Sequence, residues 1–142
     1  MTRSIIKINN QDHKIAKLAA IAIALSIIEF FLPSPIPGVK PGIANIIILF
    51  TIIKFDFPTA VWVSIIRVFV VSIIVGTFLG PTFFLSFSGS LFSLMFLFLF
   101  KNINGKYFSV ISLSLIAAFA HIIGQFLIVR LWIIPHDGIF YL

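Results

Sequence analysis

The 142-residue chain has no cysteine, which excludes disulfides, thiolate metal sites and cysteine nucleophiles and leaves the compartment open. Acidic residues are nearly as scarce. Asp12, Glu29, Asp56 and Asp137 are the only four, and no two stand close together in the sequence. An enzyme that holds Mg²⁺ on a diphosphate needs clustered carboxylates, and this chain has no such cluster. It also lacks a glycine-rich phosphate loop, so it cannot drive transport with ATP by itself. No nucleophile and base are paired. The expectation is a protein that is not an enzyme and that carries no cofactor and no metal.

What is abundant settles the class. Hydrophobic residues make up 61% of the chain and charged ones 10%, with a mean hydropathy of +1.21, against about 45–50% apolar and about 25% charged in soluble domains. A soluble fold of this size would expose large apolar patches, which are association sites rather than ordinary surface. The composition predicts an all-α, polytopic membrane helix bundle. At roughly 20 residues per crossing, five spans with short connections use nearly the whole length. The predicted organisation is a basic amino-terminal segment, 1–13, followed by one transmembrane helical domain, 14–142.

The formal charge of +6 and pI near 10.1 fit membrane orientation better than nucleic-acid binding, because the basic residues flank apolar runs. Predicted spans cover 14–32, 42–55, 58–79, 83–100 and 107–134. With the amino terminus inside, Arg3, Lys7, Lys14, Lys17, Lys54, Lys101 and Lys106 are cytoplasmic, seven of the ten Lys and Arg residues. Lys40 sits in an outer loop, and Arg67 and Arg130 lie in or near spans. This predicts a multi-pass protein of the plasma membrane. The first apolar run follows a basic segment as a signal peptide's would, but it lacks a small-residue cleavage site.

Within the spans, polar residues are few enough to be informative. Ala16, Ala20 and Ala24 form a flat stripe on span one, suited either to packing within the bundle or to docking a partner helix. Residues 33–41, from Pro33 to Pro41, break the hydrophobic pattern at what this topology makes the outer face. Glu29 lies just before the break and Asn45 just after it. Arg67 falls ~13 Å into span three at 1.5 Å per residue, and His121 and Gln125 share a face of span five. Charged groups at bilayer depth are costly, so they face protein or a water-filled cavity and are functional candidates. Together they predict one pocket open to the outside. Glu29 and Arg67 equally suit a structural ion pair, and the span-four serines, Ser88 among them, could bond back to their own helix.

At PIPGVKPGIANI (residues 35–46), the Arg67 span, SFSGS (86–90) and AHIIGQ (120–125), the chain resembles the Gx transporter family. That family is also catalogued as heptaprenyl diphosphate synthase component I and is similar to the substrate-binding S components of energy-coupling factor transporters. The resemblance implies a six-helix bundle, five of whose spans are legible here, with a sixth, glycine-containing helix expected beyond them. It implies that loop 33–41 lids the substrate cavity. It further implies that the alanine stripe docks on a transmembrane coupling subunit served by ATPases. Pro41, where the family usually has Leu, and Ile122, where it has Asn, depart from the pattern. The expected site is Glu29, Lys40, Asn45, Arg67, Ser88, His121 and Gln125, holding a small anionic or vitamin-like molecule. The alternatives are an accessory component in prenyl-chain or quinone biosynthesis, or a non-transporting remnant.

Overall fold

A computed structural model describes residues 9–32, 43–100 and 109–133. Among them every regular element is helical: α1 (Asn10–Phe31), α2 (Asn45–Lys54), α3 (Phe57–Ile74), α4 (Pro81–Phe100) and α5 (Val110–Ile128), the last running into one π-helical turn, Val129–Ile133. The loop from Pro33 to Pro41, Lys40 within it, and the turn carrying Lys101 and Lys106 lie outside the described residues.

The helix ends follow from local chemistry. α1 begins four residues before the predicted span because Asn9 and Asp12 form a capping box, the Asp12 carboxylate accepting from the Asn9 backbone N–H at 2.8 Å. At α3 the Asp56 carboxylate accepts from the Thr59 backbone N–H at 2.7 Å and from the Thr59 hydroxyl at 2.9 Å. Pro58 sits in the first turn, where its missing donor costs nothing. The predicted third span runs to Leu79, yet α3 stops at Ile74. Gly76 takes φ +74°, its N–H reaching Ile73 O, while the Thr77 N–H reaches Ser72 O at 2.8 Å. That pairing is a Schellman cap, which ends a helix in the left-handed region glycine adopts without strain.

Among the described residues three segments are long and apolar enough to cross a membrane: Phe57–Ile74, Pro81–Phe100 and Val110–Trp132. The other two helices differ from the five-crossing expectation for separate reasons. α1 has 22 residues but carries Asp12, Lys14, Lys17 and Glu29. α2 has only ten, or ~15 Å of helix at 1.5 Å per residue, about half the hydrocarbon thickness.

Packing pairs α4 with α5 and α1 with α3, while α2 is wedged against α1, α3 and α5. The aliphatic core gathers at one end of the bundle, where Leu18, Ala19 and Ala22 of α1 meet Ile48, Ala60, Val63 and Leu94. Lys14 and Lys54 lie toward this end, with the Lys14 Nζ 5.7 Å from the centre of the Phe55 ring, a cation–π distance. The opposite end is built differently.

Candidate functional site

At that opposite end, five helices bring polar side chains to one cavity of about 100 Å³. Arg67, midway along α3, is 7% exposed. A guanidinium so placed must be hydrogen-bonded. Its Nη1 donates to Asn45 Oδ1 at 3.1 Å and its Nη2 to Ser90 Oγ at 2.8 Å, so one planar fork ties α3 to both α2 and α4.

Glu29, near the end of α1, is 6% exposed. Its Oε2 accepts from the Ala44 backbone N–H at 3.4 Å. Ala44 is the N-cap of α2 and has no side-chain cap of its own. The carboxylate therefore stands at the positive end of a helix that lacks a local cap, and its charge also acts on Arg67. Ala44 and Asn45 are consecutive, so the carboxylate and the guanidinium address the same first turn of α2.

On the far wall, His121 Nε2 and Gln125 Nε2 of α5 lie 3.2 Å apart. With the amide donating, the ring proton is on Nδ1. Nδ1 is buried beside the Gly89 carbonyl but has no partner in hydrogen-bonding geometry among the described residues. The ring presses against Gly89 of α4, where a Cβ would come within 2.7 Å of Cε1. One turn further along α5, a Cβ at Gly124 would meet the Ser88 carbonyl oxygen at 2.7 Å and Phe92 Cβ at 2.9 Å. The two glycines let α4 and α5 approach closely, by the small-residue logic of membrane helix pairs.

The cavity thus collects Glu29, Asn45, Arg67, His121 and Gln125. Ser88 stands elsewhere, contrary to the sequence expectation: it is not among the cavity-lining residues, and its hydroxyl donates across the α4–α5 interface to Gly124 O at 2.6 Å. Its neighbours Ser86 and Ser90 line the cavity instead, with Ser26, Ser72, Thr77 and Thr82 adding hydroxyls. Ser86 and Ser90 are four residues apart and so share a helical face, while Ser88 points away from it. That spacing was the available signal. Bonding back to the helix's own carbonyls does occur, at Thr51 to Ile47 O and Ser72 to Phe69 O, both 2.7 Å. Phe30, Val68, Val71, Val75 and Phe83 supply apolar wall.

Lys40 lies outside the described residues. The alanine stripe divides from its neighbours: Ala16, Ala20 and Ala24 are exposed, and Ala19 and Ala22 make the internal packing. Among the described residues no three His, Asp or Glu side chains gather as a metal site.

A family model described as heptaprenyl diphosphate synthase component I matches residues 18–142. The chain belongs to that family. Every cavity-lining side chain named above falls inside the region matched to heptaprenyl diphosphate synthase component I. No curated protein and no solved structure matches the chain.

Proposed function

We propose that this chain is a membrane-embedded, non-catalytic subunit of a small-molecule transporter, binding its ligand in the polar cavity lined by Glu29, Asn45, Arg67, His121 and Gln125. One observation carries the reading: polar and charged groups from five helices converge on a single cavity in an otherwise apolar bundle. Intramembrane ionisable residues mark binding sites and substrate pathways by default, and small-molecule sites combine apolar walls with a few placed polar groups. The lysines toward the other end favour a cytoplasmic amino terminus in the plasma membrane and a cavity facing outward.

Translocation in this reading needs partners, a transmembrane coupling subunit and its ATPases. The exposed Ala16, Ala20 and Ala24 stripe is the docking face. A thermal-shift screen of vitamins and small metabolites on the purified protein tests the binding role. A ligand that raises the melting temperature of the native chain, but not that of Asn45→Ala, supports it. No stabilisation by any compound would remove it.

The family's description, heptaprenyl diphosphate synthase component I, is the ground for a second reading, an accessory component in prenyl-chain or quinone biosynthesis. That reading predicts altered prenyl-diphosphate products when the chain is deleted, with normal uptake of small solutes. Comparing both traits in one deletion strain separates the two.

A further inference from the structure

The charges lining the cavity point to a narrower class of ligand than an arginine alone would suggest. Arg67 is the permanent cation of the site. Its two hydrogen bonds go to neutral oxygens, Asn45 Oδ1 and Ser90 Oγ, so the remaining donors of its five-donor guanidinium are left for an acceptor with negative charge. Glu29 lines the same cavity and reaches the same turn of α2, through the Ala44 N–H at 3.4 Å.

The pair therefore brings one positive and one negative charge to the cavity. A ligand anion would balance Arg67 but leave the site with an excess negative charge, and a ligand cation would do the reverse. In a low-dielectric bundle either imbalance is costly. A molecule carrying both charges matches both walls at once. The cavity volume of about 100 Å³ is below that of an engineered cavity that holds benzene, about 150 Å³, which limits the ligand to a small molecule. Val68, Val71 and Val75 offer room for a short aliphatic group.

We propose that the site takes a small zwitterion of the amino-acid class, its carboxylate on Arg67 and its ammonium toward Glu29. This rests on the binding-subunit reading above and specifies its ligand. The test is calorimetric titration of the purified full chain in lipid nanodiscs with L-alanine, propionate, isopropylamine and propanamide, which share a similar size and differ in charge. L-alanine is expected to bind at least tenfold more tightly than each of the others, a difference of about 1.4 kcal/mol. Glu29→Gln keeps the size and an acceptor for the Ala44 N–H, and is expected to lower alanine affinity at least tenfold while propionate affinity rises. Propionate or propanamide binding as tightly as alanine would overturn the zwitterion assignment and leave the binding role standing. The same holds if Glu29→Gln does not change the preference. Silence from all four probes also overturns the assignment, and the metabolite screen then decides the broader reading.

Discussion

His121 lies against the bare backbone of Gly89, so close that a Cβ there would come within 2.7 Å of the ring carbon Cε1 and 2.8 Å of Nε2. The position of the imidazole on the cavity wall is thus set by what α4 lacks at that point.

Gly89→Ala is expected to displace the ring and destabilise the bundle by ~1–3 kcal/mol, the range for overpacking. Removing the ring as well, in Gly89→Ala/His121→Ala, should recover part of that loss, a coupling that a double-mutant cycle measures. Gly124→Ala should be worse than Gly89→Ala, because its obstacle is the Ser88 carbonyl oxygen at 2.7 Å, a backbone atom that cannot rotate aside. Thermal unfolding in detergent checks the order. Equal losses would place the close approach elsewhere.

The span-four serines should separate stability from binding. Ser88→Ala removes the bond to Gly124 O and should cost about 1 kcal/mol with ligand affinity unchanged. Ser90→Ala strips an acceptor from the Arg67 guanidinium, should cost ~1–3 kcal/mol, and should weaken ligand binding. Stability and affinity measured on the same preparations decide the matter, and a loss of affinity in Ser88→Ala would count against the assignment.

Arg67→Gln leaves the Glu29 carboxylate buried without the guanidinium charge that acts with it. The substitution also strips the donors from Asn45 Oδ1 and Ser90 Oγ, and is expected to cost at least ~1–3 kcal/mol, the range for a buried polar group left unsatisfied. The double variant Glu29→Gln/Arg67→Gln should be more stable than Arg67→Gln alone, since no isolated charge remains. Additive losses in denaturation of the four proteins of the cycle would show that the two residues act independently.

The two sets of α1 alanines should respond oppositely to enlargement. Ala22 is 0% exposed and packs in the core with Ala19, so Leu at either is expected to destabilise by ~1–3 kcal/mol. Leu at Ala16, Ala20 and Ala24 together should leave the unfolding free energy within ~0.5 kcal/mol of the native value and abolish copurification with a coupling subunit. Unaltered copurification would take the docking role from this face.

Much of the architecture can be read from composition and punctuation. Long apolar runs broken by proline, glycine and polar turns predict a membrane helix bundle, and every regular element among the described residues is helical, with Asp56 and Pro58 marking the start of α3. Glu29, Asn45, Arg67, His121 and Gln125 can be picked out as rare polar groups in apolar runs, and the structure brings all five to one cavity. Rotation about each helix axis is harder to read. In SFSGS three serines recur every second residue and cover both sides of α4. Packing against α5, rather than any local preference, turns Ser88 to the interface and Ser86 and Ser90 to the cavity. The same limit applies to α1, where five alanines within nine residues make opposite faces look alike, and only the partner helices distinguish Ala19 and Ala22 from Ala16, Ala20 and Ala24. The early end of α3 depends on Gly76 adopting a positive φ, whereas a glycine within an apolar run is equally compatible with a continuing helix.

The separation of the aliphatic cluster from the polar cavity gives the bundle two mechanically different ends. Around Leu18, Ile48, Val63 and Leu94 the helices interlock through close-packed side chains, which resist small displacements. Around Arg67 directional bonds to Asn45 and Ser90 stand beside the ring packing of Phe69, Phe83 and Phe87. In the binding reading proposed above, the cavity end is the one expected to open for a ligand while the aliphatic end stays closed. Amide hydrogen exchange should reveal this gradient along α3, with faster exchange beyond Arg67 than around Val63.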